Sequence, residues 1–215
     1  VASTGTKVGE PEVRRSGGWV EVQATLTGAT PLLLNAMPRD VLLELAGVVD
    51  KKAKTAEKAT PEDVARCHLH LGPDGKPAIP SQMLYAAMIN AGVFVRLDGK
   101  RQVSTKTETN LPGLMKLGFE PLPLYLPGSE ERSERYEVDI QRGVNPNGGQ
   151  AVAIIRPCFY QWEIRPLFTV DRRVFDLKKA YELVTIAGAR MGLGDFRPNC
   201  RGVYGQFIIT SWDVR

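Results

Sequence analysis

With 215 residues, 43% of them hydrophobic, the chain is long enough to bury a substantial core, and no run of about 18 apolar residues marks a membrane-spanning helix. Three cysteines, Cys67, Cys158 and Cys200, are widely spaced and odd in number, which argues against a disulfide framework and for a reducing, cytoplasmic setting. The net charge of +4 is basic without being extreme, so a polyanionic partner is favoured over an acidic substrate only as far as the charge is clustered.

Residues 1–18 are polar and rich in small side chains, and read as a disordered leader before one domain spanning 19–215. Trp19 to Thr27, WVEVQATLT, alternates with period two and predicts a strand with one buried face. Arg39 to Ala53 carries Val41, Leu42, Leu45, Val48 and Val49 at helical spacing. Thr60-Pro61-Glu62-Asp63 reads as a helix start, with Thr60 as N-cap and Pro61 at the first helical position. Arg66 to Leu71, RCHLHL, alternates like a strand before the turn GPDGKP. A helix capped by Ser81 then buries Met83, Leu84, Ala87, Met88 and Ala91 and stops at Gly92.

The middle, about 94–150, reads as mostly β with long excursions: a DGK turn, a Pro-rich run PLPLYLPG (121–128) expected to be exposed and either to join an interface between copies or to cross the surface, a charged SEERSER patch, and the hairpin signal NPNGG. Regular patterning returns over Ala151 to Val170, strand-rich, and Asp176 to Met191, an amphipathic helix with Asp176 as N-cap. A closing strand is expected over Val203 to Trp212. The class is α+β, compatible with a ferredoxin-like or RRM-like βαββαβ core carrying inserted hairpins and helices.

The chemistry-bearing motifs are few. No GxxxxGK[ST] occurs, and Gly192-x-Gly194 follows a helix where a dinucleotide fingerprint must follow a strand. Cys67, His68 and His70 form a metal-like cluster, but nothing completes a tetrahedral set, so neither metal nor cofactor is expected. Asp195, inside a glycine loop, either caps the turn, pairs with an arginine or does catalytic work. That loop, GLGDFRPNCRGVYGQF, is either a sharp structural turn or a phosphate cradle. In the second case its glycines admit phosphate to backbone N–H groups, Arg190, Arg197 and Arg201 supply charge, and Phe196 and Tyr204 supply stacking faces.

Two stretches carry a family resemblance. AGARMGLGDFRPNCRGVYGQFII (187–209) resembles the helix, basic glycine-rich turn and strand of the RAMP superfamily, the repeat-associated proteins of CRISPR effector complexes. KPAIPSQMLYAAMINAG (76–92) is similar to the family's apolar-Pro strand exit followed by a helix that, in the family-seven Cas backbone subunits, lies beside guide RNA. The resemblance implies a non-catalytic subunit that coats a guide RNA and stacks on copies of itself. Its other partners would be a complementary target strand and further effector subunits. By resemblance the RNA would meet Ser81, Gln82, Arg190, Arg197, Arg201 and Tyr204, and the surface cations Lys51, Lys52, Lys54, Lys100, Arg101, Lys106 and Arg142 are further candidates. It also implies protruding hairpins at 96–110 and 137–157, with Val144 or Val152 as a wedge between bases. No acidic loop of the RNA-cleaving members is visible. The alternatives are a metal-independent ribonuclease using His68, His70 or Tyr204, and a phage single-strand-binding or assembly protein.

Overall fold

Strand β1, Trp19–Gly28, organises the molecule. The structure, a computed structural model, describes residues 18–49, 59–144 and 148–215. After β1 come β2 (Leu32–Leu33), α1 (Arg39–Leu45), α2 (Pro61–Cys67), β3 (Ala78–Ile79), α3 (Ser81–Ala91), β4 (Arg96–Asp98) and β5 (Arg101–Gln102). Then follow α4 (Leu111–Leu114), β6 (Met115–Leu117), β7 (Leu122–Pro123), β8 (Glu137–Val144), β9 (Ala151–Phe159), β10 (Glu163–Ile164), β11 (Leu167–Asp171), α5 (Leu177–Ile186) and β12 (Phe207–Val214). The protein is thus α+β, with antiparallel sheets and five α-helices among the described residues.

The alternation in β1 puts Val22, Ala24 and Leu26 in the core. Leu26 faces Ile164 on one side and Ile209 on the other, and Val22 likewise faces Phe168 and Val214. So β10 and β11 share one edge of β1 and β12 takes the other, while β6 pairs outside β11, all antiparallel. Helices α3 and α5 pack against each other and bury Leu84, Met88, Leu183 and Val184 in the cluster formed with Val22, Leu26, Phe168 and Val170. Each such fully buried aliphatic or aromatic side chain contributes about 2 kcal/mol of hydrophobic stabilisation.

A second sheet, β2-β9-β8, is dominated by the long antiparallel pair β8–β9; residues 145–147, between them in sequence, lie outside the described ones. The base of the pair, Arg156 to Phe159, is buried, and its outer half is exposed. The β4–β5 pair forms a shorter hairpin within 96–102. Both lie in the segments expected to carry hairpins.

Local signals in the sequence are realised at several ends. The Thr60 hydroxyl accepts from the Asp63 N–H at 3.2 Å with Pro61 opening α2, and the Asp176 carboxylate accepts from the Lys178 N–H at 3.0 Å. Ser81 is instead the first helical residue, buried and preceded by Pro80 as the cap.

Other expectations are corrected. The RCHLHL alternation does not make a strand: α2 runs through Cys67, His68 caps it, and only Leu71 bridges to Pro77. The helix from Arg39 lasts seven residues, and Asp50 to Lys58 lie outside the described residues, as does the leader through Gly17. Its apolar positions face solvent, Leu45 at 72% exposure. The PLPLYLPG run is not a surface crossing: Leu122 and Leu124 are buried, and Tyr125 lies between the Arg132 and Arg165 guanidiniums. The last strand starts at Phe207 because 202–205 belong to the glycine loop.

Candidate nucleic-acid interface

Helix α5 continues into a π turn, Ala187–Met191, and then into the glycine loop. Gly192, Gly194 and Gly205 have φ of 68°, 71° and 69°, the left-handed region. At Gly205 an added Cβ would lie 1.9 Å from the Leu193 carbonyl oxygen, and at Gly202, 1.6 Å from that of Phe196. The glycines therefore let the chain cross itself.

The N–H groups are largely spent inside the protein. Leu193 donates to Gly205 at 2.9 Å, Asp195 to Leu33 at 2.8 Å, Gly202 to Arg197 at 3.0 Å, Tyr204 to Phe196 at 3.1 Å and Gly205 to Pro31 at 2.7 Å. The Gly194 N–H points at the Met83 sulfur, 3.4 Å away. The idea of a backbone cradle for phosphate is corrected accordingly: this is a rigid turn, and any anion it meets is met by side chains.

Asp195 is committed to structure. Its Oδ2 accepts from Asn35 Nδ2 at 2.9 Å and lies 3.2 Å from Arg156 Nη1, while its Oδ1 accepts from the Phe196 N–H at 2.9 Å. Arg156, on β9, is 3% exposed, and its guanidinium carbon sits 5.3 Å from the Phe196 ring centre. Among the described residues its Nε and Nη1 make no hydrogen bond; Asp195 is its ion-pair partner, and Asp139 lies directly opposite it on β8.

The loop packs on one side of α3. Met83 and Asn90, seven residues apart, share a helix face, and a hollow lies at each. Near Met83 a cavity of about 170 Å³ is bounded by Asn35, Gly194, Asp195 and Arg197, whose Nη1 donates to the Gly194 carbonyl at 2.7 Å. Near Asn90 a cleft of about 440 Å³ is lined by Phe94, Lys106, Glu108 and Asn199, among others. Arg190 lays its guanidinium 4.8 Å from the Phe94 ring centre. The two hollows lie beside α3 at separate positions, and each takes part of its lining from the glycine loop.

Lys106 thus lines the cleft near Asn90, Arg190 lies against that cleft's Phe94, and Arg197 lines the cavity near Met83. Arg201, with φ of 63°, is exposed at the end of the Pro198–Cys200 turn. Tyr204 is turned towards the hairpin, where Gln141 Nε2 approaches its hydroxyl at 3.4 Å, and Arg142 is exposed beside it on β8. Ser81 and Gln82 line a different, largely apolar cleft of about 290 Å³ with Tyr85, Lys116 and Phe119. Lys100 and Arg101 sit on the β4–β5 turn, Arg101 paired with Asp98 at 2.8 Å. Lys51, Lys52 and Lys54 lie outside the described residues.

His68 Nδ1 lies 2.8 Å from the Ala36 carbonyl, which only accepts, so that nitrogen carries the hydrogen. His70 is half-buried, and burial lowers its pKa. Among the described residues no group of three or more His, Cys, Asp or Glu is arranged to hold a metal ion. Asn35, Asn90, Phe94, Arg156 and Asn199 were not singled out from sequence. The one available signal was Asp195, an acid inside a basic loop that asks for a partner.

No protein-family model matches the sequence, and no curated protein matches it. In fold the chain is similar to one from a cryo-EM structure of the type III-B Cmr-beta bound to cognate target RNA, with a TM-score of 0.54 at 14% identity. That match covers 92% of this chain and 61% of the other, so this chain spans less than two thirds of its length. The crystal structure of Cmr6 from Pyrococcus furiosus matches with a TM-score of 0.46 at 12% identity, over 89% of this chain and 98% of that one. In fold, then, this chain is similar to a chain of that type III-B Cmr-beta structure.

Proposed function

We propose that this protein is a non-catalytic RAMP-type subunit that binds guide RNA in a cytoplasmic CRISPR ribonucleoprotein. The observation that carries the reading is the pair of hollows between α3 and the glycine loop, which together make one groove in this proposal, with Lys106 in one, Arg190 against its Phe94 and Arg197 in the other. Cationic side chains on such a platform hold phosphates without reading bases, and target choice falls to pairing between guide and target strand. The strand order β12-β1-β11-β6, with α3 and α5 as the crossovers, supports a ferredoxin-like core. The Cmr-beta structure contains target RNA, which supports an RNA partner for this fold. The exposed apolar positions of α1, Leu42 and Leu45, suit contact with another subunit or with a head-to-tail copy.

Fluorescence anisotropy with a labelled single-stranded RNA of about 30 nucleotides, matched DNA and a duplex, at several salt concentrations, tests this. Single-stranded RNA is expected to bind, the affinity falling with salt, and Lys106→Ala or Arg197→Ala each to lower the salt slope by about one. Absence of salt-dependent binding at low salt overturns the proposal.

One observation favours a second reading, a metal-independent ribonuclease. His68 is held by the carbonyl of Ala36, the neighbour of Asn35, which contacts Asp195 at the groove. A histidine with Nδ1–H fixed on a carbonyl presents Nε2 as a base. Cleavage of bound RNA in EDTA, abolished by His68→Ala, would replace the non-catalytic reading with this one.

A further inference from the structure

We infer that the cleft beside Phe94 is a pocket for a single unstacked nucleobase, so that the groove takes hold of RNA by a base as well as by phosphates. This rests on the RNA-binding reading above and adds to it a site and a ligand class. The cleft, about 440 Å³, falls within the range of small-ligand pockets. It lies where the end of α3, the 105–109 turn and the Pro198–Cys200 turn meet.

Phe94 is 48% exposed, unusual for a phenylalanine on a fixed backbone. Its own N–H donates to the Ala91 carbonyl at 2.9 Å, and the flanking Val93 and Val95 carbonyls accept from Gln102 Nε2 at 2.6 Å and the Val103 N–H at 2.9 Å. The ring is therefore presented to the cleft by a pinned segment. Arg190 lies against it, a cation–π pair that offers a stacking surface of the kind single-stranded RNA bases use.

The rest of the lining suits a base edge. Asn90 and Asn199 bring side-chain amides, each both donor and acceptor, and neither has a hydrogen-bond partner among the described residues. Glu108 shares the cleft, and its carboxylate repels a phosphate but accepts from the N–H groups of a base. Lys106, on the same turn, is placed to hold the phosphate attached to that base. A base within a duplex has its faces and edges occupied, so the occupant is a nucleotide splayed from a single strand.

The test compares two probes on wild-type protein, Phe94→Leu and Phe94→Trp: the single-stranded RNA, and a ribose-phosphate strand of equal length without bases. Phe94→Leu is expected to weaken RNA binding about tenfold with an unchanged salt slope and to leave the abasic strand unaffected, while Phe94→Trp retains wild-type affinity. A 2-aminopurine walked along the RNA should be quenched at one or more positions by the wild type and released by Phe94→Leu. Equal RNA affinity for wild type and Phe94→Leu overturns the base pocket and leaves the RNA-binding function standing. An equal loss on both probes overturns it too, by making Phe94 a structural residue. Failure of the wild type to bind either probe overturns both inferences.

Discussion

The glycine loop and the β8–β9 hairpin touch at Arg156–Asp195 and Gln141–Tyr204, yet they are built in opposite ways. The loop turns inward. Its carbonyls and N–H groups pair with one another and with residues 31 and 33, and its glycines stand where another backbone passes too close for a side chain. The hairpin turns outward: its strands pair in unbroken register from Glu137↔Cys158 to Val144↔Ala151, buried only at the base, over about 26 Å of strand. One is a platform that fixes the position of Arg197 and Asn199, and the other is an arm whose exposed Ile140, Arg142 and Val144 have reach without burial. Irregular backbone here is the rigid part, and regular β-structure is the exposed part.

The contrast is broken most sharply at glycine. Gly202→Ala would push a Cβ into the Phe196 carbonyl, backbone that cannot rotate away, and should cost about 3 kcal/mol or more. Gly148→Ala, at the hairpin turn with nothing within 4 Å of the new Cβ, should stay within about 0.5 kcal/mol of wild type. Urea unfolding of both variants checks this. Equal midpoints would mean that the loop yields as easily as the arm.

A smaller effect is expected at the junction. Asp195→Asn takes from the Arg156 guanidinium, 3% exposed, its ion-pair partner at 3.2 Å, and should cost about 2–3 kcal/mol. Arg156→Met removes the buried charge and keeps an aliphatic stem beside Phe196. It leaves an Asp195 whose side chain is 31% exposed and still accepts from Asn35, so about 1 kcal/mol is expected. The double variant should cost less than the sum. If Arg156→Met proves the more damaging of the two, the pair is not what joins platform to arm.

Sequence reading reached the parts of this fold that rest on local chemistry. Alternation in WVEVQATLT, the Thr60-Pro61 and Asp176 starts, and the apolar stripes of α3 and α5 each follow from neighbours within a few residues. It failed where a distant partner decides. RCHLHL alternates, but its first two residues are already claimed by a capped helix, and the rest meets the 76–78 segment only through the single Leu71↔Pro77 bridge and the bond from the Ala78 N–H to the His70 carbonyl. PLPLYLPG reads as surface until β7 pairs with β3 and drops Leu122 and Leu124 into the core. At the site, the basic residues of the loop were visible, but Arg156 lies 39 positions from Asp195 and Phe94 lies 96 positions from Arg190. Pairings of that kind leave no periodicity behind them.

On the arm itself, Ile140→Thr should change stability by no more than about 0.5 kcal/mol, because the side chain is 58% exposed and already pays little for its position. Unchanged urea midpoints would sharpen the division between arm and platform. A loss above 1 kcal/mol would show that the outer hairpin is packed against something else.

The smallest effect at neutral pH, and the finest test of where arm becomes platform, lies at Cys158. Burial first, and then the nearby carboxylates of Asp139 and Glu137, push its thiol pKa up to about 11. The folded state therefore keeps a proton that the unfolded chain releases near pH 8.5. This contribution to stability is whole below that pH and is lost as the pH climbs through 11. At pH 8 a thiol reagent should modify Cys67 and Cys200, both exposed, and reach Cys158 only on unfolding. Two equivalents in native protein and three in denaturant are expected. Asp139→Asn, which removes one of the raising charges, should bring the folded thiol pKa closer to the unfolded one, so that the alkaline loss still begins near pH 8.5 but is smaller and ends at lower pH, without opening the site. Rapid modification of all three thiols in native protein would place the boundary deeper than Cys158, with the hairpin opening through its base.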